Sequence, residues 1–387
     1  MQLSAIKQSF SVKYEYQLLF TQGVFHIDNS IFVDTIATYK PNEVVKVFFV
    51  IDKGFFDAHP YILMQIEAYC KSHSNQLKHT QSIVLDGGEQ SKNSSESIEE
   101  VLKGINDNAI CRHSFVIAIG GGALIDMAGY AAAIAHRGVK LIRIPTTVLS
   151  QNDAAVGVKN SVNIFNKKNF LGTFAPPFAI INDSNFLKTL EQRDWISGVS
   201  EAIKVALIKD KTFFKYIAEN AIAIKNRDME VMHYVIYKCA EMHMHHISQG
   251  GDPFESGSSR PLDFGHWAAH KMEYMTNYSL RHGEAVAKGI ALDVTYAHLV
   301  GLISEGDLKH ILKVLLVIGF DLSLPLSSTL ETEELLGGIQ EFREHLGGEL
   351  TITLISGIGI KHDVHTIDMG LMSQAITNLN QYAAINQ

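Results

Sequence analysis

The 387 residues, 46% hydrophobic and 19% charged, exceed one typical domain and suffice for two with sizeable cores. A formal charge of -8 disfavours nucleic acid as the main partner, and no run of about 18 apolar residues offers a membrane span. Cys70, Cys111 and Cys239 lack paired spacing, which fits a reduced, cytoplasmic protein, and the opening MQLSAIKQSFSVKYEYQ lacks the apolar core of a signal peptide.

In chain order, VVKVFFVID (44–52) is a β-rich run ending in Asp52. A helical stretch around 60–73, a strand at 81–86, a helix at 94–107 and an apolar strand at 114–120 follow. A glycine turn then opens a helix, and 139–147 is the next strand. This alternation predicts a Rossmann-like parallel sheet with covering helices. From about 183 the pattern turns helical, over 185–208, 211–225, 227–249, 264–276, 282–301 and 305–318, with one strand-like run at 350–359. The expected fold is an α/β Rossmann-like N-terminal domain (1–184) and a mostly α-helical C-terminal domain (185–387). The stretch GGDPFESGSSRP (250–261) is the clearest internal loop and directly precedes His266.

Gly120, Gly121 and Gly122 stand between a buried strand and a helix, where bare backbone N–H groups can approach a phosphate, and Asp126 follows one turn later. The turn lacks the usual GxGxxG spacing. The polar segment 145–172 carries Asp153, Lys159, Lys167, Lys168 and Asn169, either a solvated loop or a set for phosphate and hydroxyl groups. Glu201 and Lys204 lie three apart on an apolar helix, which points to a buried carboxylate needing a metal or a cation.

Glu201, His266, His270 and His282 offer one carboxylate and three imidazoles, a donor set suited to zinc or a similar divalent ion. His266 and His270, four apart, share a helix face. If three of the four hold a metal, the fourth is free for acid/base work. His243, His245 and His246 form a second cluster, read as a solvated helix face with a competing metal site as the alternative.

These residues fall in motifs that resemble the sugar phosphate cyclases, of which 3-dehydroquinate synthase is the best-known member, over about residues 45–360. The motifs are DGGEQSKN (86–93), GGGALIDMAGYAAA, HRGVKLIRIPTT, GVSEAIK, GHWAAH and HGEAVAKG, with Ala269 where the family commonly has glycine. The resemblance implies Glu201, His266 and His282 as ligands of Zn2+ or Co2+, with His270 and Lys204 beside the substrate. It implies substrate contacts from Asp153, Lys159, Lys168 and Asn169. It implies NAD contacts from Asp52, Glu89, Lys92, Gly121, Gly122, Asp126, Thr146 and Thr147. Arg137 matches an arginine that reaches a neighbouring subunit's phosphate site, which implies a homodimer. The implied reaction is a carbon–oxygen lyase sequence using NAD catalytically: oxidation, phosphate elimination, reduction and aldol cyclisation of a sugar phosphate.

Dehydroquinate synthases hold the substrate carboxylate with an arginine and an asparagine seven and three residues before the first motif histidine, and with a lysine upstream. Here these positions are Ser259, Asp263 and His245. Two like charges roughly 4 Å apart at an effective dielectric of about 20 repel by roughly 4 kcal/mol. Arg260 could compensate from the adjacent position, but a substrate without a carboxylate is the simpler inference. GVKNSVN, LDFGHWAAHK and FREHLGGELTI are similar to the branch that cyclises sedoheptulose 7-phosphate to a valiolone-type cyclitol, with Arg343 and His345 replacing a lysine-rich segment. Three other readings stand beside this one: a true 3-dehydroquinate synthase, a metal-dependent polyol dehydrogenase, and a non-catalytic NAD-binding module.

Overall fold

The computed structural model describes residues 5–165, 167–254 and 261–386. Its strands run β1 (Gln17–Thr21), β2 (Val45–Asp52), β3 (Leu77–Leu85), β4 (Phe115–Gly120), β5 (Lys140–Pro145), β6 (Lys159–Ile164), β7 (Lys167–Phe174) and β8 (Ala179–Asp183). Six form one parallel sheet in the order β1-β8-β5-β4-β2-β3. Every residue of β4 and β8 is buried, because helices cover both faces of a parallel sheet. Alternate side chains of β2 serve opposite cores. Val47, Phe49 and Ile51 pack with α1 (Ile31–Ala37), α2 (Lys53–Ala58) and α3 (Ile62–Ser72). Phe48 and Val50 pack with α4 (Ser95–Asp107) and α5 (Gly122–Ile134).

The remainder is mainly helical: α6 (Gln192–Ser197), α7 (Val199–Lys209), α8 (Lys211–Glu219), α9 (Ala221–Lys225), α10 (Met229–Gln249), α11 (His266–Met275), α12 (His282–Leu299), α13 (Glu305–Ile318), α14 (Thr329–His345) and α15 (Met369–Asn386). A small antiparallel pair, β9 (Ile352–Gly357) and β10 (Ile360–Val364), packs with them. One large core unites α7 and α12, which are buried along almost their whole length.

The single helix expected over 185–208 is instead a 3-10 turn over Ser184–Thr189, an extended step at Leu190 and Glu191, and then α6 and α7, which meet at Gly198, where a Cβ would lie 2.3 Å from the Leu149 backbone nitrogen. Asn220 likewise divides 211–225 into α8 and α9. The segment weighed as a solvated loop is in part the antiparallel hairpin β6–β7. Strands β1 and β8 and helices α14 and α15 were not expected. α14 carries Gly337-Gly338 at its middle, a poor helix signal, yet Gly338 lets the helix press onto Lys271, to whose Cβ a methyl there would come within 3.0 Å.

Candidate active site

A cleft of about 1220 Å3 opens along the C-terminal ends of the parallel strands and runs to the N-termini of α11 and α12. Strand order reverses between β2 and β4, so the crevice at their ends is the topological switch point of an open α/β sheet. Asp52 ends β2 there and caps α2 by accepting the Phe55 N–H at 3.2 Å. Burial pushes its carboxyl above the usual range. Gly121 and Gly122 begin α5 beside it, and Thr146 and Thr147 follow β5, all four lining the cleft. Gly122 must be small because a Cβ would sit 2.8 Å from that of Ala154. The volume exceeds that of a site for one small ligand and suits a dinucleotide with a substrate beside it.

Across the cleft, α7 presents Glu201, while His266 and His282 are the first residues of α11 and α12. Gly265 sets the entry of α11: it is left-handed (φ 78°), and its close approach to Gly289 leaves no room for a side chain on either residue. Glu201 is fully buried, and among the described residues its Oε1 accepts no hydrogen bond. That oxygen lies 3.7 Å from His266 Nε2 and 3.6 Å from His282 Nε2. Nδ1 of His266 lies 3.1 Å from the Phe264 carbonyl, and Nδ1 of His282 lies 3.0 Å from Glu273 Oε2. With each Nδ1–H donating there, both Nε2 lone pairs converge on Oε1, the arrangement of a metal site supported from behind. The three ligand atoms lie within 4.8 Å of one another. Burial, then the Lys204 charge, hold His266 well below the usual imidazole range, so it is neutral as a ligand must be. These donors fit Zn2+ or Co2+. His270, Glu273 and His282 also lie close enough to hold an ion. However, both Glu273 oxygens are already engaged by Lys168, at 2.9 and 3.0 Å.

The remaining charges form a connected lining. Lys204 is buried against Glu201 Oε2, and although burial opposes its charge, Glu201 and Asp153 keep it protonated. Asp153 sits on a wide π-type turn, with Oδ1 3.0 Å from His243 Nδ1. Burial alone would raise its pKa, but Lys204 and His243 outweigh burial and hold it far below the usual range. Asp263 lines the same end, and its charge adds to the stabilisation of the Lys204 ammonium. Lys168 reaches from β7 to Glu273 of α11, and despite burial that carboxylate and Glu89 lift its pKa to about 12. Lys92 is buried among Asp126 (2.9 Å), Ser161 (3.0 Å) and Asn169 Oδ1, tying the hairpin to α5. Glu89 accepts from Asn163 Nδ2 at 3.0 Å.

Of the residues singled out in the sequence, the structure gathers Asp52, Glu89, Lys92, Gly121, Gly122, Asp126, Thr146, Thr147, Asp153, Lys159, Lys168, Asn169, Lys204, Asp263, His266, His270 and His282 around this cleft, with Glu201 behind it. Arg137 stands apart, exposed and left-handed at φ 62° after α5. Ser259 and Arg260 lie outside the described residues, as does the side chain of His345. Arg343 donates to the Gly348 carbonyl at 2.7 Å, and Phe342 beside it lines the cleft. The second histidine cluster does not share a face: α10 turns His243 into the cleft and leaves His245 exposed, so the position matched to the upstream family lysine faces away. His243 extends the buried stripe Val235, Ile236, Cys239, Ala240 by one helical step, a signal the sequence already held. Glu273 and Arg143 were missed. Glu273 follows His270 by three residues and so shares its helix face. Arg143 is wholly buried in β5 and donates to the carbonyls of Ala155 (2.8 Å), Gly157 (2.5 Å) and Lys159 (3.2 Å) and to Asn160 Oδ1 (2.7 Å), fixing the segment that carries the cleft lysine.

The family model for the 3-dehydroquinate synthase N-terminal region matches residues 82–197, and that for its C-terminal region matches 198–342. The 3-dehydroquinate synthase of Shewanella sp. (strain MR-4) is 34% identical over 279 residues, 72% of this chain and 76% of that protein. That of Campylobacter fetus subsp. fetus (strain 82-40) is 39% identical over 254 residues, 65% and 70% of the two chains. Among solved structures, ValA (2-epi-5-epi-valiolone synthase) from Streptomyces hygroscopicus subsp. jinggangensis 5008, with NAD+ and Zn2+ bound, has a TM-score of 0.86 at 26% identity, covering 97% of this chain and 99% of that one. A 2-deoxy-scyllo-inosose synthase complexed with carbaglucose-6-phosphate, NAD+ and Co2+ has a TM-score of 0.77 over 93% and 96%, a likeness of fold alone at 22% identity. The chain belongs to the 3-dehydroquinate synthase family of sugar phosphate cyclases, enzymes of the phosphate-eliminating lyase class. No helix among the described residues is long and apolar enough to cross a membrane.

Proposed function

We propose that this enzyme takes NAD and Zn2+ or Co2+ and cyclises a C7 sugar phosphate that lacks a carboxylate, sedoheptulose 7-phosphate, to a valiolone-type cyclitol. The observation that carries the substrate choice is Asp263, an anion in the cleft close enough to Lys204 to stabilise its charge, where a substrate carboxylate would meet repulsion. The full-length likeness to ValA supports the same choice. The curated relatives favour the second reading, 3-dehydroquinate synthase itself.

In this reading residues 1–184 serve the nucleotide and residues 185–387 the metal. NAD contacts Asp52, Glu89, Lys92, Gly121, Gly122, Asp126, Thr146 and Thr147. Glu201, His266 and His282 hold the metal. Bound, the metal supplies Lewis-acid polarisation of substrate oxygens, and NAD supplies hydride acceptance and return, with no net redox change. The chain supplies the rest. The His270 imidazole, stacked near that of His282 with ring centroids 5.9 Å apart, takes and returns protons beside the reacting carbons. The Lys204 ammonium, fixed by Glu201 and Asp153, meets negative charge as it develops on the substrate. Lys159, Lys168 and Asn169 line the sheet-side end and meet the phosphate before and after its elimination. Asp153 orients substrate hydroxyls. The walls of one cleft keep the opened chain near its own carbonyl for the aldol step. The reading includes a homodimer in which Arg137, exposed on its own chain, serves the cleft of a second copy.

The test offers sedoheptulose 7-phosphate, the carboxylated C7 keto acid phosphate and a simple polyol separately and assays inorganic phosphate and NADH. Phosphate from the first, without NADH accumulation, is expected. Phosphate from the carboxylated compound alone would establish the second reading, and steady NADH from a simple polyol would indicate a dehydrogenase.

A further inference from the structure

We propose that Glu273 is a positioning residue that couples the phosphate end of the cleft to the metal end, so that filling one raises affinity at the other. The inference rests on the reading of Lys168 as a phosphate contact and of Glu201, His266 and His282 as metal ligands.

Glu273 is only 2% exposed and sits where the two halves of the molecule meet. Its Oε1 accepts from Lys168 Nζ at 2.9 Å. Its Oε2 is shared, 3.0 Å from the same Nζ and 3.0 Å from His282 Nδ1. One carboxylate oxygen therefore serves a lysine from the β6–β7 hairpin and a histidine from α12. The other imidazole nitrogen of that histidine, Nε2, faces Glu201 Oε1 at 3.6 Å.

A histidine whose Nδ1–H donates to a carboxylate is a stronger ligand at Nε2, and the strength follows the charge left on the accepting oxygen. Lys168 and His282 compete for that charge. A phosphate group in the cleft gives Lys168 a doubly charged partner. As Nζ turns to it, Oε2 returns wholly to His282 and Nε2 binds the ion more tightly. Linkage then requires that a bound ion favour phosphate equally. Substrate anchored by its phosphate would thus tighten the metal site before chemistry begins.

The test is Zn2+ affinity, measured by competition with a chromophoric chelator in the wild type, Glu273→Gln, Lys168→Met and the double variant, with and without inorganic phosphate. Glu273→Gln should weaken Zn2+ binding by about tenfold to a hundredfold. Lys168→Met should tighten it severalfold in the wild-type background and leave it unchanged in the Glu273→Gln background. Phosphate should tighten Zn2+ binding in the wild type and not in Glu273→Gln. Should Glu273→Gln fold poorly, Glu273→Asp keeps the charge at a longer reach and should retain part of the phosphate effect. Equal Lys168→Met shifts in both backgrounds would mean that the lysine acts through space, and would overturn the proposal. Unchanged affinity in Glu273→Gln would overturn it too. Undiminished Zn2+ affinity in Glu201→Gln would instead overturn the metal site on which the proposal stands.

Discussion

On the sheet side of the cleft, glycine backbone and strand ends line the wall where α5 begins, and the helix N-terminus adds its field to the side-chain charges of Lys92, Asp126 and Lys168. On the helical side, side chains from α7, α11 and α12 converge on one point, and each needs a partner behind it to aim correctly. The glycine turn of the first wall is local in sequence, set by a few adjacent residues, and it has room for a side-chain atom at Gly121 but not at Gly122. The second is assembled from positions some eighty residues apart and depends on buried, mutually dependent charges. Damage to the two walls should therefore look different.

The largest effect is expected on the helical side. Glu201→Gln removes the proposed shared ligand, and turnover should fall by about a thousandfold or more, the scale of several kcal/mol of Lewis-acid stabilisation. It also leaves the buried Lys204 without its nearest anion, a change that typically costs about 3–5 kcal/mol, so the melting temperature should drop. Metal analysis and calorimetry read both, while NAD binding should persist.

Next is His270→Ala, expected to slow turnover by roughly 10²–10⁴-fold with metal content intact. Loss of metal in that variant would move His270 into the ligand set and redraw the division of roles.

A milder break comes from the sheet side. A methyl at Gly121 would meet only Thr147, at 3.7 Å, so Gly121→Ala should fold normally. The methyl intrudes where a phosphate would approach the backbone, and NAD affinity should fall about tenfold, or about 1.4 kcal/mol. Fluorescence titration with NADH reads this, and Zn2+ affinity should stay unchanged.

The smallest effect on turnover concerns Asp293, which accepts from the Gly265 N–H at 3.0 Å and Trp267 Nε1 at 2.9 Å, bracing the start of α11. Burial lifts its carboxyl to about 7 from an ordinary 3.8. The folded state holds this proton more tightly than the unfolded chain, so its stability contribution is full below the ordinary value and is lost as pH rises through 7. Asp293→Asn should flatten that decline, seen as a smaller fall in melting temperature between about pH 4 and 7 than in the wild type. An identical pH dependence in both proteins would refute the assignment.

Much of the sheet side could be read directly from the chain. The runs ending at Asp52 and Gly120 are buried strands with clear boundaries, and GGG between strand and helix marks the turn by itself. β1 and β8 escaped notice because five-residue strands leave little periodic signal. On the helical side residue chemistry narrowed the donors to Glu201, His266, His270 and His282, and the family resemblance divided ligands from acid/base group. Chain order contains no distance between α7 and α12. The supporting shell was the least legible part, because Glu273 and Arg143 matter through what they touch across the cleft or the sheet. His243 lies on a visible stripe and parts from its sequence neighbours because the helix face, not adjacency, decides burial.

The position of a divalent ion decides between the two donor groups that could hold one. Anomalous diffraction from a crystal loaded with Co2+ and NAD locates the ion directly. A single strong peak between Glu201 Oε1, His266 Nε2 and His282 Nε2 is the predicted result, and a peak among His270, Glu273 and His282, or none in the cleft, would contradict it.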